Sequence, residues 1–242
     1  SVVERVELPV GTAVDLSAYV TEREGYDFTG WYLDAALTQP ITSLTLEADT
    51  TVYAGWRIRN PFVDVAEKDY FYDAVLWGVE NGVVKGMDET HFEPETVCTR
   101  AQALTFLWRA NGMPQPKTTT NPFVDVDASA YYYDAVLWGV ENGIVKGVNT
   151  TTFAPNDQIT REQIATILFR YAKAEKVEGK LAGFPDAEKV SDYAADAMAW
   201  AVEQGLINGI SESDGKTYLA PQETATRAQI AVILMRYLTA EN

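Results

Sequence analysis

Cysteine is nearly missing: Cys98 stands alone in 242 residues, so no intrachain disulfide and no cysteine-built zinc site can form. Histidine is as scarce. His91 is the only one, which removes Ser-His-Asp and Cys-His catalysis from what this chain can do by itself. No apolar run reaches the roughly 18 residues that a membrane helix needs, so membrane insertion is not expected. Positive charge is thin too. With 19 Lys and Arg against 35 Asp and Glu the formal charge is −16, and a nucleic-acid partner, which needs a basic face, is not expected. The excess acid reads as solubility at a crowded surface, and an anionic partner would need locally concentrated Arg or Lys. The start, Ser1-Val2-Val3-Glu4-Arg5, has no basic flank before an apolar stretch, so no signal peptide is read there.

What the chain does have is repetition. Asn60-Pro61-Phe62-Val63-Asp64-Val65 recurs 61 residues on as Asn121-Pro122-Phe123-Val124-Asp125-Val126. Both runs lead into nearly the same segment, from Tyr72 to Gly82 and from Tyr133 to Gly143. A third, more divergent copy starts at Phe184-Pro185-Asp186, and its Gly209–Pro221 loop is longer than the matching Gly147–Pro155. Polar, proline-containing or glycine-ended linkers at 113–120 and 174–183 separate the copies.

Each copy reads as helix, loop, helix. Ala74, Val75, Leu76 and Val79 form an apolar stripe at helical spacing, which predicts a first helix over roughly Tyr70–Asn81. Gly82, Gly143 and Gly205 follow as residues suited to the left-handed helix end. The second helix opens at Thr99-Arg100-Ala101-Gln102, Thr160-Arg161-Glu162-Gln163 and Thr226-Arg227-Ala228-Gln229. Threonine with glutamine three residues later is a capping box, with Thr as the N-cap. Arginine at the first helical position breaks a rule, because the positive end of the helix dipole disfavours a cation by about 0.3–1 kcal/mol. Two readings are open: the side chain reaches a carboxylate such as Asp64, Asp125 or Asp186, or the arginine and free helix-terminal N–H groups together hold an anion. Trp77, Trp138 and Trp200 invite a sugar-stacking role, yet at helical spacing they read as core.

The order Phe-x-Asp, Tyr-Asp-Ala-Val, Glu-Asn-Gly-(Ile/Val)-Val-Lys-Gly, Phe-x-Pro and Thr-Arg-(Ala/Glu)-Gln resembles the S-layer homology (SLH) family. The resemblance covers three full copies, at 59–113, 120–174 and 182–242. It implies a mostly α fold, in which three helix-loop-helix repeats assemble into a pseudo-threefold helical domain with grooves between neighbours. It also implies an extracellular protein of a Gram-positive cell wall or S-layer, monomeric and without enzymatic activity, cofactor or metal. Its partner would be a secondary cell-wall polysaccharide linked to peptidoglycan, often one carrying a pyruvate ketal. By position, the Thr-Arg arginines Arg100, Arg161 and Arg227 would engage that carboxylate. Asp64, Asp125 and Asp186, with Gly82, Gly143 and Gly205, would shape the groove. Tyr70, Tyr131 and Tyr193 stand where the family often has tryptophan and keep an aromatic face for a sugar ring. Lys85 and Lys146 complete the set, whereas copy three has Asn208 at that position. Copies one and two are therefore expected to be the better binders. The reading from another class is a structural or adhesion module making protein contacts at the cell surface.

Residues 1–58 are built differently. Val6 to Val20 and Thr42 to Trp56 alternate apolar and polar residues as strands do, with Gly11, Gly25 and Gly30 as punctuation. Gly25-Tyr26-Asp27-Phe28-Thr29-Gly30-Trp31-Tyr32, closed by Thr51-Val52-Tyr53-Ala54-Gly55-Trp56, resembles the Listeria–Bacteroides (internalin B-repeat-like) repeat. That resemblance implies a small β-grasp-like surface module with Trp31 and Trp56 in its core. Gly215-Lys216-Thr217 is not a phosphate loop, because Ile210 stands where the Walker pattern needs glycine. The loops at 88–95 and 149–157 lack EF-hand spacing.

Overall fold

The structure, a computed structural model, describes residues 5–240; the start of the chain, where no signal peptide is read, lies outside them. The chain divides into two compact units, Ser1–Pro61 and Phe62–Asn242.

The first unit is built from short strands. β1 (Ala13–Asp15) pairs antiparallel with β4 (Ser43–Thr45), and β2 (Tyr26–Tyr32) lies between β3 (Pro40–Ile41) and β5 (Tyr53–Ile58). The alternation over Val6–Val20 yields only the three residues of β1, followed by a 3-10 turn at Leu16–Ala18. Phe28 meets Trp31 and Trp56 edge-on at 5.5 and 5.6 Å, a favourable aromatic geometry. The Trp31 indole N–H donates to the Tyr19 carbonyl at 2.7 Å. Trp31 and Trp56 are half-buried, and Leu16 is the buried apolar side chain, as expected where so few residues share one core.

In the second unit each copy contributes two helices. These are α1 (Tyr72–Glu80) and α2 (Arg100–Ala110), α3 (Tyr133–Glu141) and α4 (Arg161–Ala172), α5 (Ala195–Glu203) and α6 (Arg227–Ala240). A small hairpin, β6 (Ile210–Ser211) with β7 (Thr217–Tyr218), fills the longer loop of copy three. Gly82, Gly143 and Gly205 take φ of +68°, +70° and +67°, the left-handed helix ends their positions predicted. The capping box forms at all three second helices, with Thr99, Thr160 and Thr226 exchanging hydrogen bonds with Gln102, Gln163 and Gln229.

Second helices pack across copies: α2 lies on α3, α4 on α5, and α6 on α1. At the centre three backbone hydrogen bonds close a ring through all three copies. Cys98 N–H donates to Ala225, Ala225 N–H to Ile159, and Ile159 N–H to Cys98, at 2.9–3.0 Å. All three residues are fully buried, so the copies share one continuous core. Trp138 and Trp200 are buried in that core and Trp77 packs against it, which fits their helical spacing.

The expectation of a mostly α fold is corrected. Helix accounts for 31% of residues and strand for 14%, a mixed α/β composition. The six helices are only 9 to 14 residues long, and much of each copy is loop pinned by side chains and by bridges to neighbouring copies. Repeat spacing reports helix positions well. It says little about how much chain lies between them.

Candidate functional site

The aspartates of the Phe-x-Asp motif are anchors. Asp64 accepts from the Phe92 and Glu93 amides at 2.9 and 2.7 Å, and Asp125 from Phe153 and Ala154 at 2.8 and 2.7 Å. Asp186 accepts from Leu219 and Ala220 at 2.9 and 2.8 Å. The second residue of each pair, Glu93, Ala154 or Ala220, holds a left-handed φ of 57°, 58° or 49°. That conformation strains a residue with a Cβ, and the carboxylate holds it in place.

Each Thr-Arg arginine grips the same peptide from its other side, in the next copy around the ring. Arg100 Nε donates to the Phe153 carbonyl at 3.1 Å, Arg161 Nε to Leu219 at 2.8 Å, and Arg227 Nε to Phe92 at 3.0 Å. Arg100 and Arg227 also donate through Nη2 to the carbonyls of Lys146 and Lys85. Aspartate and arginine are thus joined through a peptide group. They do not form an ion pair, and among the described residues no carboxylate lies within 4 Å of any of the three guanidinium groups. The ion-pair reading is overturned.

The helix-terminus reading needs correction as well, because the first N–H groups are not free. Arg100 and Ala101 N–H donate to Asp157 and Pro155, Arg161 and Glu162 N–H to Glu223 and Pro221, and Arg227 and Ala228 N–H to Thr96 and Pro94. The next N–H is taken by the cap threonine. These carbonyls offset the positive helix end and turn the dipole penalty on arginine into a small effect. The guanidinium group is then what remains to meet an anion.

The three arginines are 9%, 5% and 2% exposed, and burial, opposed by nearby acids such as Asp157 and Glu223 for the first two, pulls their pKa down from the ordinary value. Among the described residues no buried side-chain nitrogen lacks a partner. The guanidinium nitrogens left without a protein partner therefore keep a trace of solvent contact. Each arginine is held by carbonyls and retains donors that bond to no described residue.

Tyrosines and a second row of arginines complete three clusters. Arg109, Arg170 and Arg236 lie nine residues beyond the Thr-Arg arginines, a spacing that was legible in the sequence and was missed. Tyr70, Arg161, Arg236 and Asn208 line a cavity of about 320 Å³. Burial raises the Tyr70 pKa first, Glu95 adds to it, and Arg161 and Arg236 oppose it. Tyr131, raised first by burial, is opposed by Arg109 and Arg227. Tyr193 is pushed up to about 12, first by burial and then by its hydrogen bond to Glu162, against Arg100 and Arg170. Every cluster therefore draws its tyrosine from one copy, its Thr-Arg arginine from the next and its second arginine from the third. A site belongs to no single copy, and the change to Asn208 falls in the cluster that it lines with Tyr70, Arg161 and Arg236.

The remaining positions fall as follows. Tyr70, Tyr131 and Tyr193 are 66%, 59% and 55% exposed, with their rings available at the surface. Lys85 and Lys146 are exposed, and their carbonyls brace Arg227 and Arg100. Gly82, Gly143 and Gly205 end helices, and a Cβ on Gly205 would come within 4.0 Å of the Asn208 side chain. Glu162, the only acid among the three motifs at its position, was not singled out by the repeat pattern.

The S-layer homology domain matches residues 61–104, 122–165 and 183–231, more than half of the chain. The chain belongs to the S-layer homology family. The Listeria-Bacteroides repeat domain matches residues 3–55. Over 173 residues, 72% of the chain, the SLH protein is 40% identical to the surface-layer 125 kDa protein of Lysinibacillus sphaericus, of which this covers 14%. It is 31% identical over 179 residues to the S-layer protein sap of Bacillus anthracis, covering 72% of the chain and 21% of that protein. It is 28% identical over 186 residues to an amylopullulanase of Thermoanaerobacterium thermosulfurigenes, covering 75% of the chain and 10% of the enzyme. The chain therefore spans a small part of the relatives it matches. Family and relatives place it at the extracellular cell surface in an anchoring role.

Proposed function

We propose that this SLH protein anchors its parent to the wall by binding an acidic glycan, a secondary cell-wall polysaccharide, at the Tyr–Arg–Arg clusters. The observation that carries the reading is the set of three buried arginines that, among the described residues, have no carboxylate within 4 Å and keep guanidinium donors without a protein partner. A ligand carboxylate, such as that of a pyruvate ketal, would meet the fork of one arginine and the charge of a second, while the tyrosine ring lies against the sugar. Holding a glycan this way involves no chemical step, so the unit acts as a binder in its own right. Enzymatic relatives such as the amylopullulanase fit a separate catalytic region joined to such an anchor. The amide and carbonyl contacts behind the arginines preorganise them, which lowers the entropy cost of binding.

The test is a pull-down on purified peptidoglycan sacculi before and after removal of secondary polymers. Retention on intact sacculi with loss on stripped ones is the expected result. Equal retention on both would sink the glycan reading and favour a protein-contact module.

A further inference from the structure

The three clusters are built on one plan, yet one of them already holds an acid. Glu162 follows Arg161 at the start of α4 and is 4% exposed. Its carboxylate accepts from Ser191 N–H at 3.0 Å, from Ser191 Oγ at 2.8 Å and from the Tyr193 hydroxyl at 3.0 Å. The equivalent positions in the other two motifs are Ala101 and Ala228, whose side chains can reach nothing of the kind. Among the described residues the hydroxyls of Tyr70 and Tyr131 bond to no protein group. The third cluster therefore differs at its tyrosine: the hydroxyl is committed to a buried carboxylate, which stands where a ligand carboxylate resting on Tyr193 would have to lie.

We propose that Glu162 is a specificity-determining residue that closes the Tyr193–Arg100–Arg170 cluster to carboxylate-bearing ligands, leaving the chain with two anion sites, at Tyr70–Arg161–Arg236 and Tyr131–Arg227–Arg109. The inference rests on the glycan-binding reading. Its physical basis is that a ligand carboxylate resting on Tyr193 would lie next to a buried carboxylate in a partly desolvated setting, where like charges repel strongly. It would also have to break the Tyr193–Glu162 hydrogen bond. The other two clusters also have acids nearby, Glu95 at Tyr70 and Glu93 at Arg227, but both are exposed and neither bonds the tyrosine hydroxyl. The same carboxylate holds Ser191 and Tyr193 of copy three against α4 of copy two, so the closed site also serves as a brace between copies.

The probe is the methyl glycoside of a hexose carrying a pyruvate ketal, titrated by calorimetry against the intact chain. The wild-type chain should bind two equivalents. Glu162→Ala, which copies the residue natural to the other two motifs, should gain a third, at least roughly tenfold tighter than the residual wild-type affinity at that cluster. Glu162→Gln keeps the size and hydrogen-bonding capacity while deleting the charge. It guards against misfolding of the alanine variant and should also gain a weaker third site. Arg227→Gln and Arg161→Gln should each remove one equivalent from wild type, while Arg170→Gln should remove none from wild type and one from Glu162→Ala. Three equal sites in wild type, or two in both Glu162 variants while the Arg161 and Arg227 variants lose theirs, would overturn this proposal and leave the glycan reading intact. No saturable binding by wild type, or binding untouched by either arginine change, would overturn both.

Discussion

Replacing Asp186 by asparagine is the sharpest test of the idea that aspartate and arginine grip one peptide from two sides. Asp186 is 4% exposed and accepts from Leu219 and Ala220 N–H at 2.9 and 2.8 Å. The Leu219 carbonyl meanwhile accepts from Arg161 Nε at 2.8 Å. Asparagine preserves the shape, so packing should hold. Its single carbonyl oxygen can satisfy one amide, and its NH2 then faces the other, donor against donor. A hydrogen bond to a charged group contributes about 1.5–3 kcal/mol, and a stranded buried donor costs about 1–3 kcal/mol. With some relaxation the expected loss is about 2–4 kcal/mol, which for a unit of this size lowers Tm by roughly 5–15 °C. Urea unfolding followed by circular dichroism should show a lower midpoint at an unchanged slope. Binding should weaken as well, because Arg161 loses the carbonyl that aims it. A useful control is Ala220→Gly. It relaxes a residue held at φ 49° and should leave stability unchanged or raise it by about 0.4–1 kcal/mol. A loss below about 0.5 kcal/mol for Asp186→Asn would refute the clamp argument, since exposed polar changes do that much by themselves.

Three further outcomes follow from the same geometry. Burial pushes the Cys98 thiol up to about 12, so a thiol reagent at neutral pH should leave the native chain unmodified and react only with the rate of unfolding; fast labelling of folded protein would contradict the closed central ring. Gly147→Ala should destabilise the unit, because its Cβ would fall on the Asn149 carbonyl and 2.6 Å from the Phe123 ring, a crowding typically costing about 1–3 kcal/mol, readable in the same urea titration. Tyr193 has a pKa raised from 10.0 to about 12, so the stability its protonated hydroxyl contributes is whole below about pH 10 and disappears as pH rises through about 12. In Glu162→Ala the Tyr193 transition seen by ultraviolet titration should move down, and an unmoved transition would deny the contact.

Much of the local structure was legible in the chain itself. A repeated Thr-x-x-Gln just before an apolar helical run is a helix-start signature, and a glycine after each apolar stripe can take the left-handed end that other residues resist, so caps and helix ends fell where the residues put them. The motif order was also specific enough to carry the family and, with it, the cell-surface setting. The arginines at the wrong helix end were noticed for a sound reason, the dipole. Their partners could not be read, because Phe153, Leu219 and Phe92 lie 53, 58 and 135 residues away and offer carbonyls, which every residue has. A backbone acceptor leaves no mark in a sequence.

What only the tertiary structure decided is how the copies share their parts. The family resemblance implies grooves between neighbouring repeats, and the residue at 208 counts against those that use copy three, but neither says which side chains meet in each groove. The ring of hydrogen bonds through Cys98, Ala225 and Ile159 turns each copy so that its second helix packs on the next copy's first. A tyrosine, a Thr-Arg arginine and a second arginine therefore meet only when they come from three different copies. Repetition determined which residues recur, because each copy folds by the same local rules. Closure of the ring determined which of them meet, and it set Glu162 of one copy against Tyr193 of another, an encounter that depends on long-range packing and on no local signal.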